Sequence, residues 1–155
     1  VSERVPDSLY CEDISDRLSP KGCYFLDDGG FIFSVAPLFS GEVYFIFNLS
    51  ELLAEPLGSQ ILELEEFRDV KSMIAVLETS DIESRALVSS GDEYRLLLDS
   101  GGEIIWKTAD NLDMVWTNLN AFLSDESIRA QKDVMDRVSY IDLRFDNKVF
   151  YKCKE

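Results

Sequence analysis

The stretch Ser139–Lys154, SYIDLRFDNKVFYKCK, decides how the chain is read. Ile141, Leu143 and Phe145 alternate with Asp142 and Arg144, the period of two that marks a half-buried strand. Asp146-Asn147 is a turn dipeptide, because both residues tolerate the left-handed region and bond their own backbone. Beyond it Val149, Tyr151 and Cys153 alternate with Phe150 and Lys152. The stretch therefore predicts a β-hairpin. A two-residue loop pairs Phe145 with Lys148 and Ile141 with Lys152, which mixes charge into the apolar face. A loop of Asp146 to Lys148 instead pairs Phe145 with Val149, Leu143 with Tyr151 and Ile141 with Cys153. It also sets Asp142 opposite Lys152, a favourable cross-strand pair, and is the preferred register. Such a strand is often a sheet edge, with one row of backbone N–H and C=O groups unpaired.

Upstream, the periodicities alternate between two kinds. Short strands are predicted around 8–11, over 23–26 and 30–34 on either side of the Asp27-Asp28-Gly29 turn, and over 42–48 (EVYFIFN). Phe67, Val70, Ile74 and Leu77 then recur at spacings of three and four, predicting an amphipathic helix over 62–77. Glu63, Glu65 and Glu66 stand in its first turn, where the helix dipole favours negative charge. Strands over 83–89, 93–98 and 103–107, joined by Gly-containing turns, read as a meander of antiparallel neighbours. Leu112, Val115, Trp116, Leu119, Phe122 and Leu123 return to helical spacing, with Asp110 as the expected N-cap. Residues 124–138 are more polar and suggest a short helical piece or an ordered loop. The expected class is α+β: a mixed, mainly antiparallel sheet with two main helices packed on one side, ending in the edge hairpin.

Composition narrows the function. With 46% hydrophobic and 12% aromatic residues among 155, the chain can build a core and is not a disordered segment. A net charge of −15 argues against a nucleic-acid or anionic-lipid surface, which needs clustered Lys and Arg. The sequence has no His, so a Ser-His-Asp triad is excluded and the commonest metal ligand is missing. There is no P-loop, G-x-G-x-x-G or C-x-x-C motif. Cys11, Cys23 and Cys153 make an odd count that favours free thiols, with a Cys11–Cys23 bridge as the alternative in an oxidising compartment. No apolar run reaches the ~18 residues of a membrane span.

The remaining chemical candidates read better as structure. Asp27-Asp28 beside Gly29-Gly30 lacks the spaced ligands of a calcium loop and reads as a solvated turn. The Glu63, Glu65, Glu66 and Asp69 run reads as a helix start. Asn48-Leu49-Ser50 fits a glycosylation sequon of the kind that arises often by chance. Trp106 and Trp116 read as core residues. The expectation is a protein with no catalytic residue, cofactor or metal of its own.

Tyr140-Ile141-Asp142-Leu143-Arg144-Phe145-x-Asn147 resembles the D-L-R-Y-x-N-G signature near the C-terminus of the FtsQ/DivIB bacterial cell-division family. Cys23-Tyr24-Phe25-Leu26-Asp27-x-Gly29-x-x-Phe33, followed by Ala36-Pro37, resembles that family's Y-x-[IV]-D-x-x-G-x-x-F segment, where its POTRA domain ends and its β domain begins. The order helix, strand, Gly-turned strand, strand, Leu-rich helix is also similar. Phe145 stands where the family has Tyr, and Lys148 where it has Gly. On this resemblance residues 1–22 are a POTRA remnant or linker, and 23–155 an FtsQ/DivIB-like β domain.

The resemblance implies a non-enzymatic scaffold of the divisome, acting in septum formation on the extracytoplasmic side of the cytoplasmic membrane. The full-length protein would be anchored by one membrane helix that this chain does not contain. Its implied partners are FtsB/DivIC-like and FtsL-like division proteins, the former adding a strand to the last strand of the β domain. Carried over by motif, Arg144 and Phe145 lie beside the partner site, and Val149, Phe150, Tyr151, Lys152 and Cys153 supply the docking edge. The alternative is an unrelated secreted recognition or ligand-binding domain. A carboxylate-dependent enzyme is a third reading, which would need an acidic cleft holding a carboxylate of raised pKa.

Overall fold

A computed structural model of the chain describes residues 4–16, 19–38, 43–131, 133–145 and 148–154. Strands β1 (Ser8–Asp13), β2 (Lys21–Leu26), β3 (Ile32–Val35) and β4 (Ile46–Asn48) precede helix α1 (Leu64–Thr79). Strands β5 (Ser84–Ser90), β6 (Glu93–Leu98) and β7 (Glu103–Lys107) lead to helix α2 (Leu112–Ser124). Two single-turn helices, α3 (Glu126–Arg129) and α4 (Val134–Arg137), then lead to β8 (Val138–Phe145) and β9 (Lys148–Cys153). The strands form one nine-stranded sheet in the order β3-β2-β1-β4-β5-β6-β7-β8-β9. The α+β class and the closing hairpin are as the sequence predicts.

Connection length decides strand direction. The short links between β1 and β2, β2 and β3, β5 and β6, β6 and β7, and β8 and β9 all give antiparallel pairs. The two links that carry helices, β4 to β5 and β7 to β8, give parallel pairs. A third parallel pair joins β1 to β4 across the β2–β3 hairpin. Strands β4 and β7 point the same way, and both crossovers step toward β9. Right-handed crossing then puts both helices on the same face of the sheet.

That face carries the main core. Tyr94, Leu96 and Leu98 of β6 alternate with polar or partly exposed neighbours and are buried against the helices. Phe67, Val70, Met73, Ile74 and Leu77 of α1 and Val115, Leu119 and Phe122 of α2 cover Tyr10, Phe47, Ile104, Trp106, Ile141 and Leu143. Burying each such side chain contributes roughly 1.5–3 kcal/mol. Trp106 is fully buried and Trp116 packs partly buried against the same cluster. A smaller cluster of Leu9, Cys11, Ala36, Ile46 and Ala86 lies apart from it, roofed by Phe25, Tyr44 and Leu97.

Two glycines permit close approaches. Gly30 has φ +83°, and a Cβ there would lie 2.8 Å from the Phe67 ring, so the β2–β3 hairpin rests directly on α1. A Cβ on Gly102 would lie 2.5 Å from the Val138 carbonyl oxygen, so β8 begins hard against the start of β7.

Four expectations are corrected. First, Cys11 and Cys23 are joined in a disulfide, leaving Cys153 free. They sit directly opposite in the β1–β2 register, and the Cys23 carbonyl accepts from Ala36 on the β3 side. The cysteines therefore form a non-hydrogen-bonded pair, the position where antiparallel side chains come closest. Second, α2 is capped by Asn111, whose side chain accepts from the Asp113 N–H, while Asp110 accepts from the Lys107 N–H one turn earlier. Third, the strand expected over 42–48 is paired only over Ile46–Asn48, and Glu42 lies outside the described residues.

The fourth correction concerns the closing hairpin. Phe145 pairs with Lys148, as a two-residue loop requires, yet Ile141 meets Tyr151, Tyr140 meets Lys152 and Val138 meets Cys153. The preferred pairs Phe145–Val149, Leu143–Tyr151, Ile141–Cys153 and Asp142–Lys152 do not form. Two irregularities, between Val138 and Tyr140 and between Asp142 and Phe145, each give β8 an extra residue. Such bulges shift register without a longer loop. They reconcile the short turn with an apolar partner for Ile141. Asp146 and Asn147 themselves lie outside the described residues.

Candidate docking edge

Strand β9 is the end of the sheet and pairs only with β8. Immediately after it, the Lys154 N–H donates to the Arg137 carbonyl at 2.7 Å, so position 154 faces inward. Both bulges fall in β8, so β9 keeps its own alternation. The N–H and C=O groups of Val149, Tyr151 and Cys153 then point away from β8. Among the described residues no segment pairs with that outer row.

The side chains of β9 divide between two faces. Val149 and Cys153 pack on the main core, and the Tyr151 ring lies 5.1 Å from Phe122 of α2 while staying 39% exposed. On the helix-free face Phe150 is 49% exposed and Phe145 48%. Their rings meet edge to face at 5.1 Å, so the two exposed aromatics form one patch rather than scattered singles. Lys148 and Lys152 are exposed on this same face. A shallow depression of about 440 Å³ opens beside the patch, with Ile105 at its floor and Tyr140, Phe145 and Phe150 among its walls.

Arg144 lines the same depression, partly exposed, with its guanidinium held by acids of two strands. Its Nε and Nη2 donate to the two oxygens of Asp142 at 2.9 and 2.7 Å, and its Nη1 donates to Glu93 at 3.1 Å. Arg95 bonds Glu93 and Glu103, extending the network across β6, β7 and β8. The hydrogen bonds from Arg144 hold the nearly buried Asp142 carboxyl below the usual carboxylate range. The same bonds push the Arg144 guanidinium up. This charged lattice roofs Ile105, which is 5% exposed, and stiffens the strands that carry the edge.

The other sequence candidates are occupied. The Asp27 side chain accepts from the Gly29 and Phe31 N–H groups and from Arg4, so it builds the turn. Glu63, Glu65, Glu66 and Asp69 flank a cleft of about 370 Å³ that Asp113 of α2 and Asp110 of the turn before it close from the other side. Within it the Tyr94 hydroxyl donates to Glu66 at 2.5 Å, and burial with that carboxylate pushes the phenol up. Among the described residues no group of three His, Cys, Asp or Glu side chains is arranged to hold a metal ion. The Asn48 amide of the sequon donates to the Cys11 and Glu12 carbonyls and ties β4 to β1.

Of the seven residues assigned to the edge from sequence, the structure gathers Phe145, Val149, Phe150, Tyr151, Lys152 and Cys153 along β9 and its turn-proximal neighbour, and Arg144, held by Asp142 and Glu93, lines the depression beside Phe145 and Phe150. Sequence reasoning missed Glu93, Arg95, Glu103 and Tyr140. Their signal is the polar half of each alternation, but only the strand register says which polar residues become neighbours. The chain matches no known family model, and no curated protein sequence matches it.

Proposed function

We propose that this chain is a non-enzymatic, extracytoplasmic divisome scaffold that binds an FtsB/DivIC-like partner by strand addition to β9. The observation that carries the reading is the open outer row of β9 at the end of the sheet. Main-chain bonds to Val149, Tyr151 and Cys153 would give affinity, and the side-chain faces on either side would give specificity. The exposed Phe145–Phe150 pair supplies apolar area next to that row. The Cys11–Cys23 bridge fits an oxidising compartment outside the cytoplasm. The resemblance in 23–37 and 140–147 supplies the partner class.

The test is capture of an FtsB-like peptide by the chain and by two variants. One lacks residues 149–155. The other is Tyr151→Pro, which removes an outward N–H and no bond to β8; edge strands tolerate proline where the N–H faces solvent. Both variants should lose capture while Tyr151→Pro keeps the far-ultraviolet circular dichroism and cooperative urea unfolding of the folded chain. Undiminished capture by either folded variant refutes strand addition at β9.

A further inference from the structure

The open row of β9 accepts some strands better than others, and its lysines say which. Lys148, Phe150 and Lys152 alternate onto one face of the strand. Lys148 and Lys152 are exposed, and neither has an ion-pair partner among the described residues. Lys154 differs, because its Nζ donates to the Ser100 carbonyl at 2.5 Å. The acid on this face whose register position is opposite Phe150 is Asp142, and Arg144 already neutralises it. Two uncommitted cations therefore border the open row in a chain whose net charge is −15. Physiological salt screens the long-range repulsion beyond ~8 Å, so at contact these two lysines decide the sign.

A second copy of this chain is a poor occupant. A two-fold pair of β9 strands is antiparallel, with the axis passing through one residue pair. Centred on Phe150, it sets Lys148 opposite Lys152. Centred on Tyr151, it sets Lys148 opposite Lys154. Centred on Lys152, it sets that lysine against itself. Of the two registers that overlap five of the six strand residues, the one centred on Phe150 sets like charges directly opposite within β9, which is destabilising, and the one centred on Tyr151 does so through Lys154 just past it. Inward and edge lysines are a known device against self-pairing.

Resting on the strand-addition reading above, we propose that β9 selects an extended segment with acidic side chains four residues apart, apolar residues between them, and that the same lysines bar a second copy of this chain. The acids meet Lys148 and Lys152, the central residue meets Phe150, and the intervening pair lies along Val149 and Tyr151.

The probe is a labelled peptide, Ser-Glu-Val-Ile-Val-Glu-Ser, followed by fluorescence anisotropy. It should bind the chain about three- to tenfold more tightly than the version with Gln for Glu, the gain of two cross-strand charge pairs. The variant K148E/K152E should reverse the order, preferring the version with Lys for Glu. N-methylation of alternate peptide nitrogens should abolish binding of all versions. If the Glu and Gln versions bind equally and N-methylation still abolishes binding, the charge selection is overturned and strand addition stands. If no version binds, or N-methylation changes nothing, strand addition fails and the selection fails with it. A sedimenting dimer of the chain that Tyr151→Pro dissolves would overturn the exclusion of a second copy.

Discussion

The two edges of the sheet are finished differently. At β3 the chain covers the start of its own edge, at Ile32. The Ile32 N–H donates to the Ser59 carbonyl and the Gly58 N–H to the Ile32 carbonyl, both at 2.9 Å, while the Ile61 N–H reaches the Gly30 carbonyl at 3.0 Å. An isolated bridge between Phe31 and Gln60 extends that cover just ahead of β3, while Val35 at the far end is exposed. At β9 nothing among the described residues performs that service. Instead the strand carries two free lysines and an exposed aromatic pair. Edges are aggregation hazards, and on β9 the exposed Lys148 and Lys152 guard the open row by charge. The difference makes β9 the edge where a partner is to be sought.

The largest expected effect comes from breaking the cover at β3. Gly30→Val puts a branched side chain at φ +83° and against the Phe67 ring, which should cost about 3 kcal/mol by strain and overpacking. Urea denaturation measures it as a lower midpoint. Binding at β9, at the opposite end of the sheet, should be unchanged in the fraction that remains folded.

A smaller effect comes from the lattice behind the open edge. Asp142→Asn removes the carboxylate that Arg144 grips and should cost about 1 kcal/mol at neutral pH, discounted because Arg144 is partly exposed. Arg144 holds the Asp142 carboxyl below its unfolded value, so its contribution is full above that value, ~3.9. It is lost as pH falls through the lower folded value. The gap between the parent chain and Asp142→Asn should therefore close on acidification below about pH 4. A gap that does not narrow at all on acidification would assign the effect to packing.

The smallest effect on stability, with a large effect on binding, is expected at the aromatic patch. Phe150→Ser alters a half-exposed ring and should shift stability by only about 0.5 kcal/mol. Peptide capture should weaken severalfold, because the ring adjoins the open row. A change confined to stability would remove Phe150 from the docking surface.

Much of the fold was legible because local periodicity carries it. The spans of β6 and β7 match the expected spans to the residue, because the Gly91 and Gly101-Gly102 turns bound them; β6 alternates in burial, whereas Ile104, Ile105 and Trp106 of β7 are buried in a row. Helix α1 lies two residues later than the spacing suggests, a boundary displacement that caps ordinarily produce. The β4 segment was misjudged in length because composition reports β-propensity, whereas pairing depends on neighbours that arrive from elsewhere in the chain. The disulfide was hidden for the same reason. Cysteines twelve apart become opposite only when the β1–β2 register is known. The closing hairpin could be named in advance because an alternating strand shows its faces in sequence.

What the amino-acid sequence determined unaided is the set of elements, their amphipathic faces and the hairpin that ends the described chain, because each depends on side chains a few positions apart. Tertiary structure alone decided three things: the bulged register of β8 against β9, the turning of Arg144 onto Asp142 and Glu93, and the covering of the start of β3 while no described segment pairs with the outer row of β9. Each of these depends on which distant backbone groups meet. Hydrogen-bond pairing between strands is the same for every residue type, so only the packed sheet selects among registers that the sequence leaves nearly equal.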